Sequence, residues 1–427
     1  MAERVSVAER VAGALRTVLG VDELPVRLRI WDGSVAGPPG APTVVVRSRR
    51  ALRRLVWAPG ELGLARAYVA GELDVDGDLA TVFAALSSAG RLAPGDESAG
   101  PSLRERLDLL RTAARLGVLG PNPVPPPEEV RLTGAGDRHS RERDAVAVSH
   151  HYDISNDFYR LVLGPSMVYS CAVWDDEGTG LDAAQEAKLD LVCRKLGLRA
   201  GVRLLDVGCG WGSLAMHAAA HYDAEVVGIT LSAHQAALAR KRVAEAGLTE
   251  RVDIRVQDYR EVTDAPFDAI SSVGMAEHVG RAKLPVYVAR LTALLRPGGR
   301  LLNHAIAWNA GETTWEPDSF ISRYVFPDGE LIGLGDMVSA LESSGLEVVD
   351  VEALRRHYAL TLRAWVQNLE QHWDDAVAAT SEGRARVWRL YMTASALAFD
   401  AGAMGVNQVL LQRSGGAPPP LRRTGWV

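Results

Sequence analysis

LLDVGCGWG, residues 204–212, sets Gly208, Gly210 and Gly212 between the strand-like run VRLLDV and the helical run SLAMHAAAHY. Small residues are needed at such a turn because a ligand has to approach the backbone closely. A turn of this kind ends the first strand of a doubly wound sheet. The spacing is G-x-G-x-G, not the G-x-G-x-x-G favoured for dinucleotides, and Asp206 stands at the strand end where no phosphate cradle forms.

Outward from this turn, strands and helices alternate as they do around a mostly parallel sheet covered on both faces. EVVGI is a second strand, and the helix AHQAALARKRVAEAG follows with Gly247 placed as its C-cap. VDIRV, the helix-poor QDYREVTDAP, FDAISSV, a helix ending at RPGG, and RLLNHAIA continue the pattern. These make five parallel strands. LEVVDVEAL and HYALTL are expected to complete the sheet antiparallel at an edge. The class is α/β, and no internal repeat is visible.

GPNPVPPPEEV, from Gly120, reads as a linker, since closely spaced prolines neither continue a helix nor donate to a sheet. The expected organisation is an N-terminal unit at 1–119, a Pro-rich linker at 120–144, a catalytic domain at 145–412 and a flexible tail at 413–427. The N-terminal unit reads as mixed and mainly helical, with strands at RLRIW and TVVVRS. Its helix SLRERLDLLRTAARLGVL puts Leu103, Leu107, Leu110 and Ala114 on one side and Arg104, Arg111 and Arg115 elsewhere. Periodicity alone leaves two readings of it, packing on its own unit or touching anionic lipid.

The net charge of −6 and a pI near 6.0 exclude a general nucleic-acid binder, whose surface is normally basic. One basic cluster stands out, VRSRRALRR, with Arg47, Arg49, Arg50, Arg53 and Arg54. It reads either as a solvated edge or as an anionic-lipid contact. Cys171, Cys193 and Cys209 have neither metal-ligand spacing nor an even count, which suits a reducing cytoplasm. MAERVSVAERVAGALRTVLG is amphipathic, with Val7, Val11, Leu15 and Val18 at helical spacing, and does not read as a signal peptide. No run approaches the roughly 18–20 apolar residues that span a bilayer, so membrane contact is expected to be peripheral.

The turn with Asp206 resembles the first motif of class I methyltransferases that use S-adenosylmethionine. Thr230 stands where that broad class carries an acid, with Gln235 one helical turn later. Seven stretches in order, HYDISNDFY, VYSCAVW, LDVGCGWG, ITLSAHQ, QDYRE, VGMAEHVG and YVFPDGEL, resemble the cyclopropane-fatty-acyl-phospholipid synthases and the related mycolic acid modifying enzymes. The resemblance covers roughly residues 145–400. ARAYVAGELDVDGDL, residues 65–79, is similar to the N-terminal domain of the phospholipid-acting members and favours a phospholipid substrate.

The resemblance implies a Rossmann-like, seven-stranded, mostly parallel sheet and methyl transfer to a cis double bond of an acyl chain. The resulting carbocation requires an apolar tunnel, aromatic faces and one well-placed base. The family's base is a bound bicarbonate, and the residues implied to hold it are Cys171, Glu277, His304, the backbone of Ile306 and Tyr358. For the cofactor, Tyr152, Tyr169 and Ser170 are implied near the methionine end and Asp206, Gly208, Gly210 and Gly212 at the turn. Thr230, Leu231 and Gln235 are implied at the ribose, with Gln257, Asp258 and Tyr259 flanking the adenine. Asp258 is expected to accept from the adenine amine while Tyr259 stacks.

Taken alone, several of these residues have plainer readings. Cys171 is the small apolar filler that buried cysteines usually are. His304 reads as a satisfied core histidine, and Trp211 as packing. The adjacent His150 and His151 do not converge on one ion, so no metal site is expected. One departure concerns Ala276, where synthases of the family carry an aromatic residue before the Glu-His pair. It is expected to alter the acyl pocket and, through a hydride shift before proton loss, to yield a methylene branch in place of a ring. The implied partners are an unsaturated phospholipid at the inner membrane face, a second copy in a homodimer and a separate reductase acting on the product, with no nucleic acid. The alternatives are a methyltransferase for a small soluble acceptor and an inactive lipid-binding relative.

Overall fold

The computed structural model describes residues 5–88, 102–130, 140, 143, 155–264, 266–309 and 319–423. Four short strands open the chain: β1 (Arg27–Ile30), β2 (Val35–Ala36), β3 (Thr43–Val46) and β4 (Leu73–Asp76), ordered β2-β1-β3-β4. Alternation in β1 and β3 turns Leu28, Ile30, Val44 and Val46 inward. There they pack with Ala8, Val11 and Ala12 of the helix Val7–Leu19.

The sheet belongs to a compact unit made of Met1–Val130, Pro317–Tyr324 and Ser381–Leu397; the second unit comprises Arg131–Glu316, Val325–Thr380 and Ala398–Val427. This differs from the expected 1–119, 120–144 and 145–412. Buried ion pairs account for the difference. Arg54, 3% exposed, holds Glu72 through two hydrogen bonds of 2.8 and 3.2 Å and donates to the Val124 carbonyl at 2.9 Å. Arg66 grips Glu129 at 2.7 and 2.6 Å, and Arg386 reaches Asp74 at 3.0 Å. GPNPVPPPEEV is thereby fixed to the first unit, and residues 381–397 join it too.

The VRSRRALRR cluster takes part in the same network. Ser48 caps the helix Arg49–Trp57. Arg47 donates to Asp74 at 2.7 Å, Arg50 pairs with Glu72 at 3.2 Å, and Arg53 donates to the Val118 carbonyl at 2.9 Å. Arg49 lies over the Trp31 ring. Arg54 is the buried member of this network, while Arg47, Arg49 and Arg50 remain exposed at its rim.

The second unit carries β5 (Arg203–Val207), β6 (Glu225–Thr230), β7 (Val252–Val256), β8 (Phe267–Val273), β9 (Leu295–Trp308), β10 (Leu346–Ala353) and β11 (Met404–Arg413), ordered β10-β11-β9-β8-β5-β6-β7. The five strands expected to be parallel are so. Successive residues point to opposite faces: Leu204 and Leu302 enter one apolar cluster, Leu205 and Leu301 the other. From β5 the chain runs outward to β6 and β7, then crosses to β8 on the other side of β5. That reversal leaves a crevice at the carboxyl end of β5, where ligands of such sheets bind.

Two expectations at the edge are corrected. HYALTL lies in the helix Arg355–Gln371, whose Tyr358, Leu362, Trp365 and Leu369 are buried at helical spacing. LEVVDVEA is a strand, but the antiparallel member is β11, inserted between β9 and β10. β11 was not foreseen because buried Asn407, Gln408 and Gln412 interrupt its apolar run. The described part of the tail is tied down as well: Arg413 ends β11, Gln412 donates to the Ala417 carbonyl, and Arg423 pairs with Asp350 at 2.7 Å. Among the described residues no helix is long and apolar enough to cross a membrane.

Candidate active site

The glycine turn forms as its residue types require. Gly208, Gly210 and Gly212 have φ of +78°, +54° and +80°, values that residues with a Cβ rarely adopt. A Cβ on Gly208 would lie 2.6 Å from Met275 Cγ, so the floor of the crevice admits no side chain there. Gly208→Ala is expected to weaken S-adenosylhomocysteine binding at least about tenfold, since strain and overpacking together cost on the order of 1–3 kcal/mol. Calorimetric titration checks this; unchanged affinity would remove the turn from the ligand site.

Around the turn lies a cavity lined by Tyr169, Ser170, Asp206, Gly208, Gly210, Thr230, Leu231, Gln235, Gln257, Asp258 and Tyr259. Gly212 turns the backbone just behind it against Ala239. Tyr152, like His150 and His151, lies outside the described residues. At the β6 end, Thr230 Oγ1 donates to Gln235 Oε1 at 2.8 Å, and the Ser232 hydroxyl accepts from the Gln235 N–H. This fixes the Gln235 amide with its NH2 group still able to donate to a ribose hydroxyl. Asp258, expected to take the adenine amine, holds Arg260 through both oxygens, at 2.8 and 2.7 Å, and its Oδ2 can accept a further hydrogen bond. Arg260 also covers the Tyr259 ring at 5.2 Å.

A second cluster forms at the carboxyl ends of β8 and β9. Glu277, in the short helix Ala276–Val279 after β8, accepts from the Ile306 N–H at 2.8 Å through Oε1. Its Oε2 is buried without a hydrogen-bond partner. His304 sits two residues before Ile306, so both side chains leave β9 on one face. The Gln408 amide N–H faces His304 Nδ1 at 3.3 Å, which leaves the ring proton on Nε2, itself buried without a partner. Leu354, which follows β10, bonds Val406 beside Ile306, and its carbonyl accepts from both the Tyr358 N–H and the Cys171 thiol. The five residues implied for the anion are thus tied together by a short chain of bonds.

Burial sets the protonation states here. It raises Glu277 to about 7 against the opposing Ile306 N–H. It lowers His304 to about 3, with the cationic Lys188 and Lys195 acting in the same direction. Burial likewise holds Cys171 as a thiol. The cluster presents one buried donor, His304 Nε2, and one buried carboxyl, Glu277, able to hold its proton near neutral pH.

Aromatic rings run between the two sites. Trp211 contacts Tyr159 at 4.6 Å, Tyr159 contacts Tyr169 at 5.8 Å, Tyr169 meets Trp365 at 5.3 Å, and Tyr358 stands 6.1 Å from Trp365 and 4.8 Å from Phe399. Trp211 does pack, and its indole N–H donates to Asn156, but it also lines the cavity. Sequence reasoning missed Tyr159, Trp365 and Phe399, because their spacing is that of ordinary buried helix faces. Lys188 was missed as well; the signal was a charged residue on the buried stripe of the helix Leu181–Leu196.

Ala276 is 2% exposed. It is buried among apolar neighbours of the sheet, while Met275, His278 and Val279 line the cavity.

The family profile described as mycolic acid cyclopropane synthetase matches residues 139–409. A probable fatty acid methyltransferase of Mycobacterium tuberculosis is 43% identical over 95% of this chain and 94% of its own length. A tuberculostearic acid methyltransferase of the same organism is 35% identical over 93% of this chain and 89% of its own. A solved mycolic acid cyclopropane synthase, complexed with S-adenosylhomocysteine and CTAB, is 34% identical with a TM-score of 0.59. It covers 63% of this chain and 98% of its own.

Proposed function

We propose a specific reaction for this chain on the premise that it belongs to the mycolic acid cyclopropane synthetase family and is an S-adenosylmethionine-dependent methyltransferase of unsaturated lipid acyl chains. The substrate is a cis-unsaturated phospholipid, and the product carries a methylene branch. One observation carries the reading: Glu277 Oε2 and His304 Nε2, a buried acceptor and a buried donor, are unpartnered at the strand ends that flank the cavity.

S-adenosylmethionine supplies the methyl group as an electrophile, and the alkene π pair forms the new C–C bond as the sulfur–methyl bond breaks. Positive charge then lies on the neighbouring chain carbon. The rings of Tyr169, Trp365 and Tyr358 offer faces to that charge, and burial excludes water. Loss of a proton from the added methyl with ring closure gives a cyclopropane. If a hydride first shifts from the methyl-bearing carbon to its cationic neighbour, loss of a proton from the same methyl gives the exocyclic methylene. The two outcomes differ in whether the shift precedes deprotonation.

The two unpartnered atoms fit a small anion that can donate one hydrogen bond and accept another, as bicarbonate does. Cys171, Glu277, His304, Ile306 and Tyr358 would hold it, and it would supply the base for the methyl proton. Glu277 keeps or passes a proton at Oε2, and His304 stays neutral with Nε2 donating.

The methylene product is favoured by the relatives named as fatty acid and tuberculostearic acid methyltransferases. Peripheral contact with the lipid surface is assigned to the helix Leu103–Arg115. It buries none of its residues, exposes Leu103, Leu107 and Leu110, and carries Arg104, Arg111 and Arg115. Incubation with methyl-labelled cofactor and oleoyl phospholipid vesicles is expected to place label in the acyl chain, with mass spectrometry giving a methylene-branched product. Cyclopropane chains alone would overturn the product, and label confined to a soluble acceptor would overturn the substrate class.

A further inference from the structure

We propose that Lys188 is a positioning residue for the methyl donor, its ammonium meeting the α-carboxylate of S-adenosylmethionine while Asp206 faces the α-ammonium. The inference rests on the reading of the cavity as the S-adenosylmethionine site.

Lys188 is 2% exposed on the helix Leu181–Leu196, and its side chain reaches the cavity wall. Its Nζ donates to Ser170 Oγ at 2.9 Å and makes no ion pair among the described residues. An ammonium carries three N–H donors, so a single hydroxyl leaves it short of partners in a place where water is scarce. Across the same cavity stands Asp206, also 2% exposed. Its Oδ1 accepts from Ser271 Oγ at 2.8 Å, and its Oδ2 is buried without a partner. The protein therefore holds two buried groups of opposite sign, each incompletely bonded and not paired with one another. A ligand bearing an anion and a cation one carbon apart satisfies both, and an α-amino acid head group is such a ligand. Ser170, held by Lys188, turns its own hydroxyl hydrogen toward the same carboxylate.

Burial also makes the site responsive to pH. It lowers Lys188 to about 8 and raises Asp206 to about 6. The titratable groups that interact with Lys188 are Cys171, Cys193, Asp206 and His304. An arriving carboxylate favours the ammonium form, so binding draws a proton onto Lys188 above pH 8.

The test is calorimetric titration of the full chain with S-adenosylhomocysteine and with its decarboxylated analogue. In the wild type, loss of the carboxylate is expected to weaken binding roughly thirtyfold or more, the effect of removing one partner of a buried charge pair. In Lys188→Met, S-adenosylhomocysteine is expected to bind roughly thirtyfold more weakly, and the decarboxylated analogue within about threefold of the wild type. Binding of that analogue reports that the variant is folded. Equal weakening of both ligands, or of neither, overturns the proposal. A second arm needs no variant: the ratio of the two wild-type affinities should fall as pH rises from 8 to 9.5, and a flat ratio overturns the assignment. Failure of the wild type to bind either nucleoside would instead overturn the cofactor reading on which the proposal stands.

Discussion

Replacing Glu277 with glutamine is expected to lower turnover by about 10²- to 10⁴-fold, the range for loss of a positioned proton-handling group. S-adenosylhomocysteine affinity should stay within about twofold, because Glu277 does not line the cofactor cavity. Glutamine keeps the Oε1 acceptor for the Ile306 N–H, so the local backbone bond survives. What is lost is the carboxyl oxygen that has no partner in the protein.

The same substitution should raise stability at alkaline pH. Burial raises the folded pKa of Glu277 from 4.5 to about 7, so the folded state holds this proton more tightly than the unfolded chain. Wild-type stability therefore falls as pH rises from about 4.5 to 7 and is level above that, as far as this group is concerned. The variant escapes that loss. Near pH 8 it should be more stable than the wild type by on the order of 3 kcal/mol, and the difference should vanish near pH 4.5. Urea unfolding at pH 5 and pH 8 separates these cases. A slow but more stable enzyme is the expected outcome. Unchanged turnover would remove Glu277 from the reaction, and a variant less stable at pH 8 would contradict the cost of its burial.

Lys195→Met is expected to cost about 3–5 kcal/mol of unfolding free energy, with little change in cofactor affinity. Lys195 is 1% exposed at the end of the helix Leu181–Leu196 and ties it to β10. Its Nζ lies 3.2 Å from Asp350 and 2.5 Å from Glu352. Asp350, 2% exposed at its side chain, also takes Arg423 at 2.7 Å. Methionine fills much of the lysine volume but leaves Asp350 with only the half-exposed Arg423 opposing its charge. Adding Asp350→Asn to Lys195→Met should recover much of the loss, because the stranded charge is then gone. A single-variant loss below about 1 kcal/mol would show that Arg423 or water already neutralises Asp350.

The legible part of the molecule was local. The glycine turn announced itself through residue type and spacing, and the five parallel strands through alternation with amphipathic helices. HYALTL misled because six residues of mixed polarity fit either period, and the four buried positions that mark it as helix extend to Leu369. β11 escaped because buried glutamines and asparagine make it look like a surface segment. VRSRRALRR read as a solvated edge or a lipid contact, and linear sequence does not show that Glu72 and Asp74 lie across from it. The proline-rich stretch looked like a linker for the same reason, since the grip of Arg54 and Arg66 on it is a contact between distant residues.

The sequence by itself determined the fold class and the glycine turn, because each is written in short runs whose geometry follows from residue type, while the residues at the strand ends were named only through the family resemblance. Only the tertiary structure decided which charges are paired and which are not. Burial removes water as the default partner, so the state of Glu277, His304, Asp206 and Lys188 depends on what the fold brings within reach. Ala276 shows the same division. Its identity is a fact of sequence, and its burial against the sheet is a fact of the fold.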